Sequence, residues 1–355
     1  MTKTKTALLL SAAAAILLGT VLWKTGTVPE LALSYGIGGN GGSAAAHLLA
    51  MSVPCLPPLP QASEEEAEGE GATAPEGEVV LSQPVFSPTD FAPVLPSKPA
   101  KADKVLKKTY ASSFSVNNLS PKTIQLKALA EKVPAIVLSE SGPQILIVHT
   151  HTTEAYNDGE LDWYGAEELR SEDSSKNMVR MGEILEKALT DRGYSVLHCQ
   201  KIHDTDFNAS YTESNKTVRE YLEKYPSISI VIDLHRDTLI DDQGTKYRPV
   251  VTLDGEETAQ IMLLMGVGND TYPHPNWQEN LSLAARIQKE ATESYPGLMR
   301  PILVRPSRYN QHLCNGAILV ELGACGNTPR EAENAAKRFG EVCAAALDQL
   351  RKEQA

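Results

Sequence analysis

The chain has 355 residues and a formal net charge of −12, with 22% charged and 42% hydrophobic residues. A surplus of acidic residues argues against binding through a nucleic-acid backbone, which needs a basic surface, so we expect no nucleic-acid partner. Five widely spaced cysteines without a CxxC pair indicate neither a thiolate metal site nor a disulfide framework.

Residues 1–28 are predicted to form an N-terminal membrane anchor. Lys3 and Lys5 precede an unbroken apolar run over residues 7–23, which is at the short end of what spans a bilayer. Because positive charge stays on the cytoplasmic side, we expect a single-pass protein whose remaining chain lies outside the cytoplasm. A cleavable signal peptide is the alternative, although the small residues lie inside the apolar run rather than after it.

Residues 29–104 are predicted to be an extracytoplasmic linker. This segment is rich in Gly, Pro and Glu and includes the stretch "SEEEAEGEGATAPEGE". Such a composition cannot bury enough apolar surface to offset the entropy of ordering. The pattern changes near residue 105, and we expect residues 105–355 to form one globular catalytic domain.

The globular part alternates short apolar runs with helical patterns. This alternation predicts an α/β fold with a largely parallel mixed sheet and helices on both faces. Several of the predicted strands are continuous apolar runs, as in strands that are buried on both faces. The predicted strands cover residues 145–149, 194–199, 228–235, 249–253, 261–267, 301–304 and 317–322.

Two of the predicted helices carry capping signals. Ser174 or Ser175 is expected to cap a helix that ends near Gly193. Thr328 and Glu331 have the spacing of a capping box and predict the start of the last helix.

Polar residues follow three of the predicted strands. His149, His151 and Glu154 come after the first strand, His235 closes "ISIVIDLH", and Glu321 closes "AILVELG". Sites in such sheets collect beyond the C-terminal ends of strands, so these side chains are expected to meet at one edge.

These residue types favour a catalytic zinc site. In an extended backbone, residues two apart face the same side, so His149 and His151 are both candidates for one ion. Two imidazoles and a carboxylate, with one position left for water, are typical of catalytic zinc. A further carboxylate is then needed as general base. Asp233 and Asp237 flank the later histidine and are expected either to orient imidazoles or to form ion pairs at the rim.

Several segments, in order, resemble the stage II sporulation protein P family. They are "ILIVHTHTTEAY", "HDTDFNASYTES", "IVIDLHRDT", "NWQENLSLA", "YPGLMRPI" and "RYNQHLCNGAILVELGACGNTPREA". The resemblance implies a membrane-anchored peptidoglycan hydrolase that acts in engulfment during sporulation, on the mother-cell membrane facing the intermembrane space. It also implies a fold similar to zinc-dependent N-acetylmuramoyl-L-alanine amidases, amidase and stem-peptide endopeptidase activities, and stage II sporulation proteins D and M as partners.

The resemblance also assigns roles to individual residues. His235 matches the later zinc histidine of the amidases, and Glu321 matches their catalytic glutamate. The first zinc histidine is His149 or His151, and the sequence does not decide between them.

The third ligand departs from the amidase pattern. Amidases take a carboxylate from the start of the next helix, where this chain has Asn177, so Glu154 is the candidate replacement. The residues expected to contact substrate are Arg236, Arg308, Tyr309, Asn310 and Gln311.

Two other functions remain open from the sequence. One is a non-catalytic wall-binding scaffold of the same fold. The joint presence of His149, His151, His235 and Glu321 argues against it, because a binder needs no general base. The other is a metal-dependent amidohydrolase barrel, which needs more regular βα units than this chain offers. The scissile amide, between glycan and stem peptide or within the stem peptide, is not determined.

Overall fold

The computed structural model describes residues 105–157, 170–242 and 245–354. The predicted anchor (1–28) and linker (29–104) lie outside these residues. Within the described part of the chain, no helix is long and apolar enough to cross a membrane.

The described residues form ten strands and five α-helices. The strands are β1 (Val105–Lys108), β2 (Val116–Asn118), β3 (Ile145–Val148), β4 (Val196–His198), β5 (Ile230–Asp237), β6 (Lys246–Leu253), β7 (Glu256–Ala259), β8 (Ile261–Gly266), β9 (Ile302–Arg305) and β10 (Gly316–Ala324). The helices are α1 (Leu126–Glu131), α2 (Met178–Asp191), α3 (Ser210–Lys224), α4 (Trp277–Ser294) and α5 (Pro329–Gln354).

A seven-stranded sheet with the order β2-β9-β8-β10-β5-β3-β4 forms the centre of the domain. Strands β4, β3, β5 and β10 pair in parallel, and so do β2, β9 and β8. The two groups meet at the antiparallel pair of β8 and β10. A smaller sheet has the order β1-β6-β7. The prediction of a largely parallel mixed sheet is confirmed.

The two faces of the large sheet carry different helices. Successive strand residues point to opposite faces, and Ile145 and Ile147 belong to a large core with α1, α2, α4 and α5. Leu146 and Val148 belong to a smaller core that includes Val218 of α3. Helices therefore cover both faces, as predicted, but very unequally.

The seven predicted strands all correspond to observed strands, with ends shifted by up to three residues. Strands β1, β2 and β7 were not predicted, because each has only three or four residues and none is a continuous apolar run.

One capping prediction is confirmed and one is wrong. In α5, the Thr328 backbone N–H donates to Glu331 Oε2 (3.1 Å), and the Glu331 N–H donates to Thr328 Oγ1 (3.3 Å), which is a capping box. In α2 the cap is Asn177, whose Oδ1 accepts from the Val179 N–H at 2.9 Å, rather than Ser174 or Ser175. The two serines lie in the turn before the cap, where Ser175 instead bonds to Asp173.

The sheet order brings the three polar strand ends together. Strand β5 lies between β3 and β10, and Glu321 is the direct register partner of His235. Val148, the last residue of β3, pairs with Asp233. The groups that follow β3 therefore lie next to His235 and Glu321.

Candidate active site

Three ionisable residues lie on one face of β5. Asp233, His235 and Asp237 are spaced two apart in a fully buried strand, so their side chains leave the sheet on the same side. Glu321 pairs with His235 on the neighbouring strand and shares that face. The backbone register alone thus concentrates four ionisable side chains in a buried place.

His235 lies between two carboxylates. Its Nε2 is 3.0 Å from Asp233 Oδ1, and its Nδ1 is 3.5 Å from Glu154 Oε2. Burial alone would lower the pKa of His235, but the two carboxylates outweigh it and raise the pKa well above 6.5. The Asp233 carboxylate is itself held in place, because it accepts hydrogen bonds from the backbone N–H (2.8 Å) and the hydroxyl (2.6 Å) of Thr150.

Glu154 is buried and held from two sides. Its Oε2 accepts a hydrogen bond from the Arg236 backbone N–H at 3.1 Å and faces His235. Burial would raise the pKa of Glu154, but His235 and the Arg236 guanidinium dominate and lower it. The carboxylate is therefore charged at neutral pH, as a metal-ligating carboxylate must be.

His151 lies against three aromatic rings. It stacks on Phe207 with a centroid separation of 4.6 Å and an interplanar angle of 10°. Tyr211 and His235 meet it edge-on, at 5.7 Å and 5.3 Å. Its Nδ1 is buried and makes no hydrogen bond within the described residues. Burial lowers the pKa of His151 to about 3, so the ring is neutral and able to act as a ligand.

The ring nitrogens of His149 contact other groups than Glu154 and His235. Its Nδ1 lies 3.0 Å from the Leu234 carbonyl, and its Nε2 lies 2.8 Å from Nε2 of His198. Both ring nitrogens are thus occupied, and burial lowers the pKa of His149 to about 3. The expectation that alternation aims both histidines at one point is not met, because β3 ends at Val148 and a turn follows. The structure brings His151, not His149, to Glu154 and His235.

Glu321 is a buried carboxyl group with an unsatisfied oxygen. Its Oε2 has no hydrogen-bond partner among the described residues. Burial raises the pKa of Glu321 to about 8, with a further increase from the charges of Asp237 and Glu154. Such a group exchanges protons near neutral pH, which suits a general acid or base. Asp237 is held in an ion pair by Arg300 at 2.8 Å.

The residues predicted to contact substrate have mixed surroundings. The Asn310 amide donates to the Tyr211 carbonyl (2.8 Å), and the Gln311 amide bonds to Gly266 N–H and Leu264 C=O. These two amides therefore hold the loop before β10 in place.

The other three predicted contacts differ from one another. Arg236 is buried, and its Nε donates to the Ala155 carbonyl at 2.9 Å. Arg308 is half-buried beside the Tyr272 ring. Tyr309 has a positive φ of 46° and lies against Tyr211 with a ring separation of 6.1 Å, so it is next to the residues that surround His151.

Three residues near the site were not singled out from the sequence. Phe207 and Tyr211 contact His151, and Asp204 receives both the backbone N–H and the hydroxyl of Thr153. All three lie in the stretch "HDTDFNASYTES", which was noted for its resemblance to the family but not for chemistry.

The imidazole and carboxylate groups of this cluster are donor types that zinc binds, and two of the donor atoms have a suitable separation. Two donors on one tetrahedral zinc are about 3.3 Å apart when each lies about 2 Å from the ion, close to the 3.5 Å between Glu154 Oε2 and His235 Nδ1. Asp233, on the other nitrogen of His235, is the carboxylate that commonly orients such a ligand. As placed, however, no three His, Cys, Asp or Glu side chains of the described residues have the geometry to hold a metal ion. His151, whose Nδ1 makes no hydrogen bond within the described residues, is the other imidazole beside His235.

The fold and this cluster define an α/β protein with a buried histidine and carboxylate site at the ends of β3, β5 and β10. Residues 83–344 match the family described as Stage II sporulation protein P (SpoIIP), and the chain belongs to that family. It is 26% identical over 232 residues to Stage II sporulation protein P of Bacillus subtilis (strain 168). That match covers 60% of this chain and 53% of the relative, so the chain spans about half the length of the curated relative that it matches.

Two solved amidase structures resemble the chain at low TM-scores. The CwlD amidase from Clostridioides difficile, solved in complex with the GerS lipoprotein, has a TM-score of 0.34 and 13% identity, covering 59% of this chain and 98% of that one. The catalytic domain of CwlV from Bacillus (Paenibacillus) polymyxa var. colistinus has a TM-score of 0.35 and 12% identity, with the same coverage.

Proposed function

We propose that the chain is a membrane-anchored, zinc-dependent peptidoglycan hydrolase of sporulation that cleaves an amide of the stem peptide. The observation that carries the proposal is the pairing of Glu154 and His235 at 3.5 Å beside a buried Glu321 whose pKa is about 8. Carboxyl groups with strongly raised pKa values in buried clusters are typical of catalytic sites. Membership of the stage II sporulation protein P family supports peptidoglycan as the substrate.

The proposed ligands are His151, Glu154 and His235. When bound, zinc lowers the pKa of a coordinated water and polarises the carbonyl of the scissile amide. Asp233 holds the imidazole of His235 in orientation, and the Arg236 backbone N–H holds the carboxylate of Glu154.

Glu321 is the proposed general base and acid. In the proposed reaction it takes a proton from the attacking water and returns it to the leaving amine. Its burial keeps competing solvent away from the carboxyl group, and Asp237 and Glu154 help to hold its pKa near neutrality. Of the predicted substrate contacts, we propose that the half-buried Arg308 meets a bound chain, whereas Tyr309 is buried and the amides of Asn310 and Gln311 bond within the fold.

The proposed cellular location is based on the family and on the predicted anchor in residues 1–28. We propose a single-pass protein in the mother-cell membrane, with the catalytic domain facing the intermembrane space and stage II sporulation proteins D and M as partners. Fractionation tests the anchor: the protein is expected in the membrane pellet. A soluble form that begins near residue 25–30 would identify a cleaved signal peptide instead.

The activity is tested by release of dye from labelled, purified peptidoglycan, with and without a chelator. We expect release that the chelator abolishes and that added zinc restores. Mass spectrometry of the fragments then decides between cleavage at the glycan–peptide amide and cleavage within the stem peptide. Wall binding without any release would favour a scaffold and contradict the proposal.

A further inference from the structure

Phe207 is an aromatic residue at the surface that packs against the proposed ligand His151. Its ring is 42% exposed, yet it stacks nearly parallel on the imidazole at 4.6 Å. It belongs to a single 3-10 turn (Phe207–Ala209) that Asp206 caps through the Asn208 N–H.

Arg170, which is paired with the buried Asp204, packs on the Phe207 ring. The Arg170 guanidinium carbon lies 4.8 Å from the centroid of that ring, and Arg170 forms an ion pair with Asp204, whose side chain is fully buried. Arg170 Nη1 also donates to Thr153 Oγ1 at 3.1 Å.

The same aspartate fixes the segment that carries the ligands. Asp204 accepts from the Thr153 backbone N–H (3.2 Å) and hydroxyl (2.7 Å). Thr153 lies between His151 and Glu154 in the chain, so one carboxylate anchors both the ligand segment and, through Arg170, the ring that packs on it.

We propose that Phe207 is a positioning residue for His151, held by the Asp204–Arg170 pair. The proposal rests on the proposed function in one respect, that His151 is a metal ligand. Stacking favours an imidazole plane parallel to the Phe207 ring, so Phe207 restricts rotation of the His151 ring about its Cβ–Cγ bond.

The test compares variants of the full chain purified in detergent. Phe207→Leu keeps apolar bulk but removes the flat ring, Phe207→Tyr keeps the ring, and Leu119→Ala changes another exposed apolar residue (49% exposed) as a matched control. Zinc affinity is measured by competition with a chelator, and the imidazole of His151 is followed by NMR of metal-free protein with labelled histidine, assigned with His151→Ala. Thermal melts check folding.

We expect Phe207→Leu to weaken zinc binding about tenfold, as loss of a group that orients a ligand typically does. The His151 resonance should move in Phe207→Leu, because the ring current of Phe207 is lost, and return towards its original position in Phe207→Tyr. Leu119→Ala should change neither.

The two possible failures differ. If Phe207→Leu keeps both zinc affinity and the His151 resonance while His151→Ala loses zinc, the positioning role is refuted and the proposed function stands. If His151→Ala itself keeps its zinc, the ligand assignment of the proposed function is wrong, and the positioning role falls with it.

Discussion

Asp233→Asn isolates the contribution of a carboxylate that touches His235 but is not a proposed ligand. The Asp233 carboxylate makes three contacts, to the Thr150 N–H (2.8 Å), the Thr150 hydroxyl (2.6 Å) and His235 Nε2 (3.0 Å). An asparagine amide has the same shape, and the Thr150 hydroxyl can instead donate to Ser214 at 2.8 Å. The substitution therefore removes mainly the charge that faces the imidazole.

The expected loss in zinc affinity is 10-fold to 100-fold. The Asp233 carboxylate faces the imidazole in a buried ion pair at 3.0 Å, and loss of a group that orients a metal-ligating histidine typically lowers metal affinity by roughly 10-fold to 100-fold. The assay is chelator competition on the purified chain. Asp191→Asn is the control, because it removes an equal charge from an exposed pair with Lys187.

The same variant makes a second, metal-free readout available. Because the pKa of His235 is raised in the folded protein, its protonated form stabilises the fold below about pH 6.5, and that contribution disappears as pH rises through the raised pKa. Metal-free Asp233→Asn should therefore melt at a lower temperature than the parent at pH 6 and below. Zinc affinity and metal-free melting that both match the parent would refute the proposed role of Asp233.

Three further predictions concern neighbouring parts of the domain. His149→Gln should keep zinc and lose stability, whereas His151→Ala should lose zinc. Elemental analysis of both variants measures their zinc content, and zinc lost from His149→Gln but kept by His151→Ala would show that the ligand is His149. Thr328→Ala should lower the free energy of unfolding by about 1 kcal/mol through loss of the capping box, and an unchanged thermal melt would contradict this. Burial lowers the pKa of His274 to about 4, so the folded protein should lose stability as pH falls from about 6.5 towards 4, by about 2 kcal/mol at pH 5. In thermal melts across this pH range, His274→Asn should show a smaller loss of stability than the parent. An equal loss of stability in both proteins would contradict this prediction.

Much of the sheet was predictable because buried strands are continuous apolar runs. Runs such as "ILIV" and "AILVELGA" needed no tertiary information. Strands β1, β2 and β7 gain their stability from their partners rather than from their own three or four residues. The α2 cap shows a similar limit, since Ser174, Ser175 and Asn177 are all good caps, and only the path of the preceding turn selects Asn177.

Several residues singled out from the sequence lie together in the structure, but their geometry was not predictable. Strand order and register, which no local pattern contains, bring Glu321 opposite His235. The choice between His149 and His151 depends on where β3 ends, because side-chain alternation applies only within the strand. His198 has no other candidate site residue near it in the sequence, yet in the structure it contacts the Nε2 of His149. Phe207 and Asp204 act on His151 and Thr153 through contacts that only the folded chain creates.

The most direct test of the account compares Glu321→Gln with Glu154→Gln, measuring zinc content and peptidoglycan-fragment release side by side. A general base moves a proton without holding the ion, so Glu321→Gln should keep its zinc, fold normally and lose activity by roughly 10²–10⁴-fold. A ligand supplies charge and coordination, so Glu154→Gln should lose zinc and activity together. If Glu321→Gln loses zinc while Glu154→Gln keeps it, the two roles are reversed; if both variants keep zinc and full activity, the hydrolytic site is not the one described.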